Sequence, residues 1–371
     1  MKSAEKVICL IHFQPIEYYP PAMNLINSLV DSSKTDVFVL STYPHKFISL
    51  FCPIKLPILR YGKQSSHIWQ RYRSYFQFNF MSFIHLIIKR PNKIICIETL
   101  SILPVYIYRK IFSKTKIFLH FHEYTSNSEL KKASSYFKFL YYLENKLYSR
   151  AEWISHTNKD RLSLFINDHH SIKFKRLEVL ANYPPVTWSK QSIQKTINNK
   201  PLKIVYIGAF SNKTMYVNEF AEWVVSKNGS VQWDIYSNNF DNNTRNYINE
   251  LNSNYINFYD AVEYYLLHSI LSEYDVGVIL YRGHILNYVY NAPNKLFEYL
   301  ACNLDVWYPK ELLSCKTYKT INTYSKVIEI DFNKLDNFNL EEALDKQNLA
   351  YEPFNKSCEA ELKKLLDTIN A

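Results

Sequence analysis

The residues best suited to chemistry lie in Tyr274–Tyr308, YDVGVILYRGHILNYVYNAPNKLFEYLACNLDVWY. An apolar run, VGVIL, leads through a polar and aromatic loop into NAPNKLFEYLA, which reads as a helix. Asn291 is a candidate cap, and Pro293 suits the first helical turn, where no N–H partner is needed. A helix N-terminus with free amides suits a diphosphate. Asn294 and Glu298 stand four residues apart and share a helix face. Lys295 puts a cation where the helix dipole disfavours it. An anionic ligand accounts for that, and so does a solvated lysine. Glu298 sits among Leu296, Phe297 and Leu300. A carboxylate there can accept two ribose hydroxyls, at about 1.5–3 kcal/mol per charged hydrogen bond. The plain alternative is the exposed face of an amphipathic helix.

Two further places follow strand-like runs. Gly208-Ala209-Phe210 comes directly after LKIVYI, and a glycine there lets the backbone approach a phosphate or sugar. His120-Phe121-His122-Glu123-Tyr124-Thr125 closes and follows KIFLHF. A histidine after a strand is also what a satisfied structural residue looks like. No cluster of ligand types has metal-site spacing. No Asp-x-Asp pair exists to hold a divalent ion on a diphosphate, so no metal and no cofactor is expected.

Such residues need a scaffold that gathers them at strand ends. Strand-like runs at Lys6–Phe13, Asp36–Ser41, Lys93–Ile97, Lys116–Phe121 and Glu152–His156 alternate with helical stretches at Met23–Val30, Ser74–Lys89, Ile102–Phe112 and Ala133–Tyr148. The alternation restarts at Leu202–Ile207 and continues through Val217–Val225, Val231–Tyr236, Tyr255–Phe258, Val276–Leu280 and Asp305–Tyr308. This predicts an α/β fold of parallel sheets with helices on both faces, in two doubly wound halves facing a central cleft. The polar, proline-bearing stretch between the halves reads as a linker. The expected domains are 1–188, a linker 189–201, a second domain 202–350, and a C-terminal helix within 351–371 that packs back on the first domain.

The chain has 371 residues and a net charge of +10, unevenly spread. Residues 1–190 carry 27 Lys/Arg and 12 Asp/Glu, and residues 191–371 carry 17 and 22. The basic half predicts an anionic partner: a membrane surface, a phosphorylated acceptor or nucleic acid. The six cysteines are scattered without a C-x-x-C pair and read as reduced thiols of a cytoplasmic protein. No apolar run reaches the ~20 residues of a membrane span, and Val7–Phe13 is too short for a signal peptide. Arg60, Lys63, Arg71 and Arg73 cluster near Trp69, Tyr72, Tyr75 and Phe76. This mix suits peripheral attachment at the inner face of an anionic membrane, unless Trp69 and Phe76 pack inside.

The segment 274–308 resembles the donor site of GT-B glycosyltransferases, especially those of glycosyltransferase family 4. The matching residues are Asp275, Val276, Gly277, Tyr281, Pro293, Lys295, Glu298, Tyr299, Ala301 and Val306. Tyr290 stands where those enzymes carry a first glutamate, and Asn303 and Asp305 stand where they carry Gly-x-Pro. The resemblance implies two Rossmann-like domains and a nucleotide-sugar donor whose ribose Glu298 holds. It aligns Gly208-Ala209-Phe210 with the turn opening the donor domain, and Lys213 with a phosphate-binding lysine. It aligns His122 and Glu123 with residues touching the acceptor or the transferring sugar, Pro91–Glu98 with the segment before them, and Asn182-Tyr183-Pro184-Pro185 with the hinge. The loop Gln14–Ala22 takes the place of a glycine-containing acceptor loop. The expected function is glycosyl transfer to a saccharide acceptor, lipid-linked, in bacterial surface polysaccharide synthesis, with retention. A sugar-nucleotide epimerase of the same shape and a basic nucleic-acid-binding protein are the alternatives. In the first reading no nucleic acid is a partner.

Overall fold

The computed structural model describes residues 7–32, 36–44, 56–63, 65, 67–191, 201–240, 242–345 and 349–371. Most of the expected linker, and Cys52, lie outside them. The chain forms two compact units, Met1–Ala181 with Cys358–Ala371, and Asn182–Ser357.

Unit 1 is built on β1 (Val7–His12), β2 (Asp36–Tyr43), β3 (Ile58–Lys63), β4 (Lys93–Ile97), β5 (Lys116–Phe121), β6 (Trp153–His156) and β7 (Leu177–Val179). They form one parallel sheet in the order β3-β2-β1-β4-β5-β6-β7. The central strands are buried on both faces, which is why residues 94–97 (IICI) and 7–11 (VICLI) are unbroken apolar runs rather than alternating ones. Strand order reverses between β1 and β4, paired from Ile8↔Lys93 to His12↔Ile97. One face is covered by the helices Pro20–Ser32 and Cys358–Asn370, whose Leu25, Leu29, Leu362, Leu365 and Ile369 share a core. Lys93 Nζ donates to the carbonyl of Ile369 and ties the returning helix to β4. The other face is covered by the helices Ile68–Lys89, Ile102–Ile111 and Ser135–Tyr148 over a second core.

Unit 2 repeats the plan with β8 (Leu202–Ile207), β9 (Val231–Tyr236), β10 (Ile256–Tyr259), β11 (Val276–Val278), β12 (Asp305–Pro309), β13 (Thr323–Tyr324), β14 (Val327–Ile330) and β15 (Ala350–Tyr351). Six form a parallel sheet in the order β10-β9-β8-β11-β12-β14, and β13 pairs separately with β15. The reversal falls between β8 and β11. Both sheets are therefore doubly wound, and ligands belong at the carboxyl ends of the strands beside the reversals.

The structure departs from the sequence reading at several elements. The helix expected from Ser74 starts at Ile68. The stretch Ala133–Tyr148 is preceded by a separate helix, Asn127–Lys132, held by a capping box between Ser126 and Glu129. Ser134 then caps the Ser135–Tyr148 helix through the Phe137 N–H at 3.2 Å. Strands β3, β7, β13, β14 and β15 were not anticipated.

Candidate active site

In unit 2 the sequence brings Gly208 and Lys295 together across 87 positions. Gly208 follows β8 with φ +121, a left-handed backbone that glycine tolerates. A Cβ there would lie 3.0 Å from Lys295 Nζ, so the missing side chain makes room for the ammonium. Lys295 Nζ is 3.2 Å from Tyr281 Oη and lies over the rings of Tyr206 (5.3 Å) and Tyr281 (5.5 Å). These rings hold the cation by their negative faces. Lys295 stands in the first turn of the Asn294–Ala301 helix. One turn on, Glu298 is 6% exposed, and among the described residues its carboxyl accepts no hydrogen bond. Burial pushes that carboxyl up to about 7, against the pull of Lys295. A buried carboxyl one turn from a held cation and a helix N-terminus can receive a ligand bearing hydroxyls and an anion.

The rest of the 274–308 motif positions this helix. Gly277 on β11 packs under Tyr299, whose ring a Cβ would meet at 2.1 Å, so the strand and helix close only around glycine. Asp275 accepts from the Lys203 N–H at 3.0 Å, locking β11 to β8 away from the strand ends. Asn303 ends the helix at φ 60, a left-handed position that asparagine tolerates and where the resembling enzymes carry glycine. Arg282 is held bidentate by Glu219 at 2.8 and 2.9 Å.

Several expected contacts fall elsewhere. Asn291 is not the cap. Pro293 occupies the N-cap position without a side-chain hydrogen bond, and Asn291 lies in the preceding loop, where its carbonyl accepts from Cys315 Sγ at 3.4 Å. Phe210 is a core residue, 1% exposed against Trp233, and its N–H already donates to Asn239. Ala209 is exposed, and its carbonyl accepts from Tyr206 Oη at 2.6 Å. Lys213 is exposed in the following turn and makes no ion pair among the described residues. Asn294 is half-buried at the helix start, one turn before Glu298. Tyr236 and Tyr259, at the ends of β9 and β10, stack at 4.9 Å on the same rim, a pair the sequence reading passed over.

The rim of unit 1 has a different chemistry. His122 and Glu123 follow β5, and it is their N–H groups that converge, donating to Glu98 Oε1 at 2.6 and 3.2 Å. Glu98 closes β4 at φ 63, ψ 152, a region that costs a non-glycine residue about 1–3 kcal/mol. Burial, reinforced by the Glu123 charge, pushes its carboxyl up to about 8. His12, at the end of β1, is fully buried beside Tyr19 at 4.5 Å, and both of its ring nitrogens lack a partner. Burial, helped by His120, drives it down to about 3, so it is a neutral imidazole at neutral pH. His120 is pulled to about 4 by burial, and its Nδ1 lies 2.9 Å from Ser155 Oγ. A cavity beside Glu98 is lined by Glu144, Tyr148, His156 and Phe165. Glu144 is buried, accepts from Tyr148 Oη and is raised to about 7 by desolvation. Sequence reading missed Glu98, His12 and Glu144. Strand-end position was the available signal for the first two, and the third has none, since it lies inside an amphipathic helix.

No protein-family model matches the chain, and no curated protein sequence matches it. Solved structures match over almost its whole length. The apo form of the lipopolysaccharide outer core galactosyltransferase WaaB is 13% identical, covers 98% of this chain and 99% of its own, and has a TM-score of 0.62. Anabaena Alr3699/HepE in complex with UDP is 10% identical over 98% and 97%, at a TM-score of 0.64. The UDP-GlcNAc 2-epimerase of Methanocaldococcus jannaschii is 10% identical over 98% and 99%, at a TM-score of 0.59. The chain has the GT-B fold. Its two doubly wound parallel sheets are the two Rossmann-like domains of that fold. At these identities the likeness is one of architecture, and the chemistry has to come from the rims.

Proposed function

We propose that this GT-B protein transfers a sugar from a nucleotide-sugar donor to a saccharide acceptor. The observation that carries the reading is the convergence of Gly208, Lys295 and the buried Glu298 at the strand ends of unit 2. The diphosphate takes the amides at the start of the Asn294–Ala301 helix and the Lys295 ammonium, and Glu298 accepts the ribose hydroxyls. Asn294 lies beside the diphosphate, and Lys213 reaches it from the turn after Gly208. The donor's anomeric C–O bond breaks toward the diphosphate, whose growing charge these groups stabilise in place of a metal ion. The acceptor hydroxyl forms the new bond. His122, Glu123 and the Glu98 carboxyl of unit 1 bind the acceptor, and the Glu123 carboxylate takes its proton.

The finer reading is a lipid-linked oligosaccharide acceptor, retention at the anomeric carbon and a role in surface polysaccharide synthesis. A lipopolysaccharide enzyme and a UDP complex among the similar structures support it. The test is a thermal-shift and calorimetric screen of UDP, GDP, CMP and dTDP compounds. A ligand that binds only the folded state must raise the melting temperature. Binding that survives Glu298→Ala unchanged would overturn the donor site, and turnover should persist in EDTA. The epimerase among the similar structures favours a second reading. Release of an isomerised nucleotide sugar from donor alone, without acceptor, would select it.

A further inference from the structure

The helices Ile68–Lys89, Ile102–Ile111 and Ser135–Tyr148 lie side by side on one face of the unit 1 sheet. Their inner faces fill the core, and their outer faces are not those of an ordinary soluble layer. Trp69 is 82% exposed and Phe76 70%, with Tyr72 and Phe80 beside them on the same stripe. Phe76 and Phe80 stack on each other at 5.8 Å, covering one another but nothing inward. The alternative, that Trp69 and Phe76 pack inside, does not hold. The second helix adds exposed Ile107 and Ile111, and the third Phe139 and Tyr142.

The charges on this layer are of one sign. The three helices carry seven Lys/Arg and a single acid, Glu144, which is 1% exposed and turned inward. Lys110 and Lys146 lie over Tyr106 and Tyr142 at 5.5 and 5.0 Å, with their ammonium groups beside aromatic rings. A face of aromatic and aliphatic side chains fringed only by cations matches an interfacial lipid layer, where rings sit among headgroups and long basic side chains reach phosphates. Two copies of the face laid together would oppose like charges.

We propose that this three-helix face docks the protein on an anionic lipid surface. The proposal deepens the reading of a lipid-linked acceptor and rests on it for its purpose, yet vesicle binding and nucleotide binding are read separately, so either can fail alone. Of the six tryptophans, Trp153, Trp188, Trp223, Trp233 and Trp307 are at most 4% exposed, so Trp69 alone reports the face.

The full chain is titrated with phosphatidylcholine vesicles, with and without phosphatidylglycerol, at low and high salt. Co-sedimentation and iodide quenching of tryptophan emission are followed. Binding to the anionic vesicles only, reversed by salt, with Trp69 shielded from iodide, is the expected result. Each basic residue near such a surface contributes about 1 kcal/mol, so Arg71→Gln with Arg73→Gln should weaken partitioning roughly 30-fold. Phe76→Ser, at an exposed position, should weaken it while nucleotide binding stays at the wild-type level. Equal binding to both vesicle types, or to neither, would overturn the proposal. So would a concentration-dependent dimer or a salt-sensitive nucleic-acid complex that Phe76→Ser abolishes, or loss of nucleotide affinity in parallel with vesicle affinity.

Discussion

The two sheets share one strand order and present opposite chemistries at their carboxyl ends. In unit 2 the first strand of the reversal ends in glycine, a lysine fills the space, and a helix N-terminus stands beside it. In unit 1 the corresponding strands end in His12 and Glu98, which carry a neutral imidazole and a carboxyl raised to about 8. A diphosphate would be stabilised at the first rim. At the second it would meet the Glu98 and Glu123 carboxyls. The proposed donor site in unit 2 is the one favoured on electrostatic grounds, although unit 1 holds most of the positive charge. Seven of those cations lie on the outer helices, and Arg161, which reaches the end of β5, is engaged by the His122 carbonyl. Net charge of a domain thus says little about which of its surfaces receives an anion.

The largest test of the contrast is Glu298→Ala, which should weaken nucleotide binding about 100-fold by calorimetry, for two lost charged hydrogen bonds. Glu98→Ala should leave nucleotide affinity unchanged; equal losses in both variants would erase the distinction between rims. Glu144→Gln addresses the buried carboxyl of unit 1. Its folded value near 7 lies above the usual 4.5, so the stability it contributes is complete below about 4.5 and is lost as pH rises through 7. Glutamine should therefore gain about 2–3 kcal/mol over wild type at pH 8 and nothing at pH 4, read from urea unfolding of unit 1. A smaller effect belongs to Glu298 itself, raised to about 7. Only its ionised form offers both oxygens to the ribose, so nucleotide affinity should rise about tenfold per pH unit up to 7 and then level. Glu298→Gln should flatten that profile. Gly208→Ala is the mildest change, costing about 1 kcal/mol from the left-handed backbone and displacing Lys295. A tenfold weaker nucleotide complex with normal lipid binding is expected; an unaffected complex would mean that the Gly208–Lys295 contact is incidental.

Unit 2 was more legible in the sequence than unit 1, for a physical reason. Its rim is written in local terms: a glycine after an apolar run, and Lys295 and Glu298 on one short helix. Those spacings survive folding unchanged. Asn291 failed as a cap because Pro293, with its fixed φ, took the N-cap position two residues later. Phe210 read as part of a loop, but its ring had a core to fill against Trp233. The unit 1 rim joins Glu98 to the amides of His122 and Glu123 from the next strand, and to Glu144 from a helix 46 positions away. No local pattern carries such a meeting. The missed strands were short or polar: Ile58–Lys63 reads ILRYGK, and Leu177–Val179 is three residues at a sheet edge. The exposed aromatic stripe was visible as composition, but its direction depended on which helix face met the sheet.

The helix Cys358–Asn370 has a consequence for the order of assembly. It completes a face of unit 1 but follows all of unit 2 in the chain. During synthesis the Pro20–Ser32 helix waits beside an open groove while about 180 further residues are made. Until then Lys93 lacks the Ile369 carbonyl, and Leu25 and Leu29 lack Leu362 and Leu365. The second unit can mature on its own continuous segment, whereas the first is sealed only by a helix made after the whole of the second.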